Sequence, residues 1–105
     1  MASLNSVTTT ADSAEFDLAG ELNFVSVAEL CEKIQPLLAA HALITINLVN
    51  VTQANSAGLA LLLEWLKRAA LAQKKLQFKN IPVNLKNIAE ASGVLVLLPL
   101  APDTI

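Results

Sequence analysis

The hexad Asn55-Ser56-Ala57-Gly58-Leu59-Ala60 separates two segments of different periodicity. Ahead of it, Ile44-Thr45-Ile46-Asn47-Leu48 alternates apolar and polar residues, as a strand does. Behind it, residues 59–71 form an apolar run with helical spacing. A chain that changes period across a few small and polar residues places them in a strand-to-helix loop. Such a loop ends at a helix N-terminus, where unpaired backbone N–H groups favour anions. Ser56 is read as the N-cap, with a hydroxyl that a partner can bond or modify. Asn55 and Ser56 fit two readings, a satisfied turn with a capped helix or a contact for a partner.

Other segments extend this βα unit into an α/β fold. Residues 3–10 are rich in Ser and Thr and are read as a first edge strand. Asp12 and Ser13 suit a turn, residues 14–18 alternate as a second strand, and Gly20 ends it. Ser26 and Glu29 have the spacing of a capping box. After them Val27, Leu30, Cys31, Ile34, Leu37 and Leu38 recur at helical intervals, and Pro36 is expected to kink or shorten the last turn. Residues 42–49 are rich in β-branched residues, with Ile44, Thr45, Ile46 and Val49, and are placed inside the sheet. The next helix, residues 57–71, is given a core stripe of Leu59, Leu62, Leu63, Leu66, Ala69 and Ala70. Lys75-Leu76-Gln77-Phe78-Lys79 alternates as a strand with one solvated face, and Pro82 punctuates it. A short helix over residues 84–92 turns Leu85, Ile88 and Ala89 inward and stops at Gly93. Residues 94–98 are uninterrupted in apolarity and undecided in conformation; Pro99 and Pro102 make the tail irregular.

Composition narrows the function. A chain of 105 residues suits one domain. It is 54% apolar and only 15% charged, against about 25% charged in an average protein. That excess predicts apolar surface buried on a partner. A formal net charge of -2 gives nucleic-acid binding no electrostatic support. Residues 1–10 lack a basic segment followed by an apolar one, so no signal peptide is expected, and no apolar run is long enough to span a bilayer. Cys31 is the only cysteine, which excludes an intrachain disulfide and agrees with a reducing cytoplasm. His41 is the only histidine and reads as a solvated residue at a helix-to-strand junction. No metal-ligand cluster, Gly-rich phosphate loop or nucleophile–base pair is suggested, so no catalytic residue, metal or cofactor is expected.

The string I-N-L-V-N-V-T-Q-A-N-S-A-G-L-A-L-L-L resembles the signature segment of STAS domains, and Leu18-Ala19-Gly20-Glu21-Leu22-Asn23 resembles the family's early G-E-L-D motif. The resemblance implies a mixed four- to five-stranded sheet with helices mainly on one face. The domain would cover residues 1–105, with its core at 14–98. The variant it most resembles is the free-standing cytoplasmic STAS subunit of Mla-type phospholipid-transport ABC systems. That resemblance implies a non-catalytic subunit that binds the transporter's ATPase and meets the inner membrane only through the complex. Anti-sigma-factor antagonists, the alternative, resemble D-S-S-G-L at the loop, with the second hydroxyl as phosphoacceptor. Here Ala57 occupies that position, and the expected aspartates are Asn47 and Asn55. A weaker third reading is a small-ligand or lipid-binding domain with an apolar groove near residues 94–98.

The partner surface is expected on Gln53, Asn55, Ser56 and Ala57 and on the first turns of the following helix. At about 100° per residue, Leu61 projects beside Arg68 and opposite Leu59, with Trp65 one turn on. Leu61, Trp65 and Arg68 are therefore expected to face a partner, being residue types suited to interface centres. The opposing reading makes Trp65 core and puts Leu61 under the C-terminal segment. Glu29, Glu32 and Lys33 are read as a solvated helix face.

Overall fold

A computed structural model describes residues 2–10 and 12–101. Four strands, β1 (Ser3–Thr9), β2 (Ser13–Leu22), β3 (Leu43–Ala54) and β4 (Lys75–Lys79), lie side by side in chain order. The β1–β2 pair is antiparallel and the β2–β3 and β3–β4 pairs are parallel. Two right-handed crossovers that advance across a sheet in the same direction must lie on the same face. That face carries α1 (Phe24–Leu30), α2 (Ile34–Ala40) and α3 (Ser56–Leu71), and α4 (Val83–Ala91) follows β4. The expected mixed sheet, with residues 42–49 inside it, is therefore what the chain forms.

The strand alternation sorts the two faces. Phe16, Leu18, Ile44, Ile46, Leu48, Leu76 and Phe78 turn toward the helices and are buried. Their neighbours Glu15, Asp17, Thr45, Asn47, Gln77 and Lys79 are only partly covered and bond one another across the open face. Gln77 donates to Thr45, Asn47 to Glu15, and Lys79 lies 3.5 Å from Glu15. Asn47 Oδ1 accepts from the Val49 N–H and the Asn80 amide. An amide serves here because it donates as well as accepts; a carboxylate would face Glu15 with like charge.

Several local expectations change. Gly20 does not end β2: it takes φ 95 at a register shift, and the strand runs on to Leu22. A bulge with a glycine at positive φ twists a strand without terminating it. Helix α1 begins two residues before Ser26. Asn23 is its N-cap, its Oδ1 accepts from Val25 and Ser26 N–H, and Ser26 Oγ accepts from the Asn23 N–H. Ser26 thus closes the capping box from the third helical position. Pro36 acts upstream of the last turn. Its ring would press on the carbonyl four residues earlier, and the chain there tightens into a 3-10 turn, Cys31–Lys33, between α1 and α2. Leu30, Ile34 and Leu38 are buried as expected, with Val27, Cys31 and Leu37 packed against them.

The segment after α4 takes a definite course. Gly93 adopts positive φ, its N–H bonds Glu90 O, and Val94 N–H bonds Ala89 O, a Schellman closure. A 3-10 turn, Leu95–Leu97, succeeds it, and Leu98 is buried. Residues 99–101 then run alongside β4, with Phe78 N–H bonded to Pro99 O and Ala101 N–H to Phe78 O. Pro102 lies outside the described residues.

Candidate functional site

Parallel strands followed by helices bring helix N-termini together at one end of a sheet. Here α1, α3 and α4 start where β2, β3 and β4 finish. The β3–α3 connection is shorter than the hexad suggested. Strand β3 runs through Gln53 to Ala54, and Asn55 alone separates it from α3. Asn55, not Ser56, is the N-cap: its Oδ1 accepts from the Ala57 N–H at 2.8 Å. Both residues can cap, but the backbone of Asn55 is extended whereas Ser56 is already the first helical residue. The Ser56 side chain stays exposed at the first turn.

Three contacts lock this end. Asn55 N–H bonds Leu22 O at 3.2 Å, tying α3 to the end of β2. Asn84, at the start of α4, donates to Ala54 O at 2.7 Å. Gly58 presses on both strands: a Cβ there would lie 3.1 Å from Leu22 Cβ and 3.3 Å from Ala54 Cβ. Glu21, Leu22, Gln53, Ala54, Asn55 and Asn84 line a shallow depression of about 260 Å³ between them. Around it stand apolar side chains in water. Phe24 is 75% exposed, Val25 72% and Val83 72%.

The expected site residues divide. Gln53, Asn55 and Ser56 are exposed at this end, and Ala57 is buried beneath them. Leu61 and Trp65 do not reach the surface: they are 1% and 0% exposed. The helical stripe is centred on Gly58, Leu61, Leu62, Trp65 and Ala69, all buried, while Ala70, assigned to the core, is exposed. Helix α3 lies between neighbouring helices, so its buried arc is wider than one sheet contact requires. Trp65 Nε1 donates to Cys31 O on the 3-10 turn at 3.1 Å, which satisfies its one polar atom. Arg68 is spoken for as well. Its guanidinium grips both carboxylate oxygens of Glu32, and its Nε bonds Glu64 at 2.9 Å. Hydrogen bonding and then charge attraction from Arg68 hold the Glu32 carboxyl below the ordinary carboxylate range. Glu64 is lowered too, chiefly by its own bond to Arg68. Glu32 is therefore half of an inter-helix clasp and not simply a solvated residue.

Phe24, Val25, Val83 and Asn84 were missed, although the sequence carried the signal. Reading Asn23 as the cap puts Phe24 and Val25 in the first turn, about 120° and 140° from Leu30. Val83 likewise falls about 160° from Leu85. His41 sits at the opposite end, half-buried against Phe16 with ring centroids 6.2 Å apart, so it is less solvated than expected. Among the described residues no group of three or more His, Cys, Asp or Glu could hold a metal ion. No helix among them is long and apolar enough to cross a membrane.

Solved structures share this architecture. The anti-sigma factor antagonist SpoIIAA in its unphosphorylated form superposes with a TM-score of 0.74 at 18% identity, over 96% of this chain and 90% of that one. The phosphorylated Bacillus SpoIIAA gives 0.70 at 18% identity, over 96% and 93%. An anti-sigma factor antagonist from Mycobacterium paratuberculosis gives 0.80 at 16% identity, over 98% and 87%. At such identities the likeness is one of fold. No curated protein matches the sequence. The sequence model of the family described as "Mlab, STAS domain" does match, over residues 5–99. That span takes in the capped β3–α3 junction together with all of β2, β3, β4 and the four helices, and the chain belongs to the STAS domain family in its Mlab form.

Proposed function

We propose that this STAS domain is a non-catalytic subunit that docks on the ATPase of an intermembrane phospholipid-transport ABC complex and supports its assembly or activity. It works in the cytoplasm and meets the inner membrane through that complex. The observation that carries the reading is the rim of exposed Phe24, Val25 and Val83 around the polar junction at Gln53, Asn55 and Ser56. Large apolar groups held in water by rigid helix starts fit a protein partner better than a small polar ligand. The Mlab family match agrees with the choice of partner. Leu61, Trp65 and Arg68 act in this reading as support: Trp65 and Arg68 hold α3 to the 3-10 turn Cys31–Lys33, Leu61 is buried, and none of the three presents itself to a partner.

An antagonist of anti-sigma factors is the second reading, favoured by the fold neighbours and by the exposed Ser56 hydroxyl. Ala57, buried where that group resembles a second hydroxyl residue, removes the expected acceptor. Copurification tests both. Phe24→Asp and Val83→Asp should melt like wild type yet lose the ATPase. Retention of the ATPase by both variants would remove this end from the interface. Stoichiometric phosphate on Ser56 from a serine kinase would favour the antagonist.

A further inference from the structure

The two edges of the sheet are guarded unequally. Strand β4 is five residues long, carries Lys75 and Lys79, and is covered by residues 99–101. Short length, lysines and a covering segment are devices that keep an edge from pairing with another chain. Strand β1 forms the other edge, and among the described residues no strand pairs with its outer side. Its seven residues, Ser3–Thr9, include no charge and no proline. A register shift between Ser6 and Thr8 interrupts it, which leaves Ser3–Ser6 as the regular stretch. Outward N–H and C=O groups alternate along such an edge, and another extended backbone is what satisfies the row. The side chains sort by face. Leu4, opposite Leu18, turns toward the helices and lines a groove of about 260 Å³ with Phe16, Lys33, Pro36 and Leu37. On the open face Asn5 Nδ2 donates to Ser3 Oγ at 2.9 Å. Glu29, which borders a neighbouring depression with Ala2, and Lys33 are both exposed beside this edge. Among the described residues neither has an opposite charge within salt-bridge distance.

We propose that β1 is a self-association edge: two copies pair their β1 strands antiparallel about a two-fold axis at Leu4, joining the two sheets into one with the helices of both copies on the same face. A second copy is selected because this edge is complementary to itself. Residues directly opposite in an antiparallel pair share a face of the sheet. Centring on Leu4 sets Leu4 against Leu4 of the second copy, between the two apolar grooves, and sets Ser3 against Asn5 of the second copy, twice. The Asn5 amide, bonded within its own strand to Ser3, then reaches Ser3 across the seam. Centring one residue later would put the displaced Val7 opposite Ser3 and break the regular pairing. The same axis runs the two helical layers antiparallel, so Glu29 of each copy approaches Lys33 of the other. A strand without charge also meets its own copy without like-charge repulsion. One short strand pair and a helical rim fall below the roughly 1,600 Å² of a standard interface, so the dimer is a reversible one that forms as concentration rises. It uses none of the residues assigned to the ATPase contact.

Sedimentation equilibrium on the full chain tests this. Wild type should pass from monomer to dimer as its concentration is raised toward about 1 mM. Ser3→Lys with Asn5→Lys sets lysines opposite one another at both outer pairs and should weaken the dimer about tenfold; Ser3→Glu with Asn5→Glu should do the same. Mixing the two double variants should restore it, because each Lys then faces a Glu. Neither side chain is buried, so both variants should melt like wild type. A wild type that stays monomeric, a dimer indifferent to either double variant, or a mixture that fails to restore it would overturn the proposal. So would loss of the dimer in Phe24→Asp, which puts the contact at the helix starts. Protection of the β1 amides from hydrogen exchange only when the ATPase is added, with the chain alone monomeric, would give this edge to that partner instead.

Discussion

A methyl group added at Gly58 would meet two Cβ atoms, those of Leu22 and Ala54, at 3.1 and 3.3 Å. Both are fixed to strand backbone, so relief requires moving the end of β2 or β3 against α3. Replacing a helical glycine by alanine gains about 1 kcal/mol of helix propensity. Overpacking against rigid neighbours costs about 1–3 kcal/mol. Gly58→Ala should therefore be destabilising by about 1 kcal/mol in chemical denaturation, the reverse of its effect in an open helix. Earlier in the same turn, the cap supplies a paired test. Asn55→Ala removes the oxygen that accepts the Ala57 N–H and should cost about 1 kcal/mol. Ser56→Ala alters only an exposed side chain and should stay within about 0.5 kcal/mol. Sequence could not rank these neighbours, because Asn and Ser both cap and the choice depends on which backbone remains extended.

Among the elements, α3 was the hardest to read. Leu59, Leu61, Leu62, Leu63, Trp65 and Leu66 surround much of its circumference, and a helix apolar on most sides has no single stripe for periodicity to find. Only the packing of α1, α4 and the sheet around it decides that Leu61 and Trp65 are inside and Ala70 outside. Leu61→Asp accordingly becomes a folding variant. A carboxylate in that 1% exposed position loses the packing of a leucine and has no partner, so the protein should lose several kcal/mol and fail to melt cooperatively. A normal melting curve for Leu61→Asp would show that α3 is packed differently. The Glu32–Arg68–Glu64 clasp spans the same interface and gives it a pH dependence. Both carboxyls are held below their ordinary value of 4.5 in the folded chain. A lowered folded-state value contributes stability above the unfolded value and loses it as pH falls through the folded one. Arg68→Gln should thus narrow the gap in melting temperature from wild type as the buffer is taken from about pH 6 to about pH 3. A gap that stays constant would mean that Arg68 acts through packing alone.

For the whole molecule, the order of strands and helices was legible because each alternation or helical run kept its period and each boundary carried a turn residue. The sheet's outer edge was not. Residues 94–98 are apolar throughout, and period does not separate a helix from a strand there; their 3-10 turn depends on the Schellman closure at Gly93 and on burying Leu98. Residues 99–101 cover the free edge of β4, an edge that would otherwise present unpaired backbone groups. Phe78, wholly buried, relies on that cover for two backbone bonds, to Pro99 O and from the Ala101 N–H, each at 2.8 Å. Ala101→Pro deletes the second donor while leaving Pro99 in place. A buried carbonyl left without its partner costs about 1–3 kcal/mol, and in a domain of this size each kcal/mol shifts the melting temperature by about 4–8 °C. Ala101→Pro should therefore melt at least about 4 °C lower than wild type, while Ala101→Ser, which keeps the N–H, should match it. Equal melting of the two variants would mean that residues 99–101 only lie beside the sheet, and that β4 closes its edge in another way.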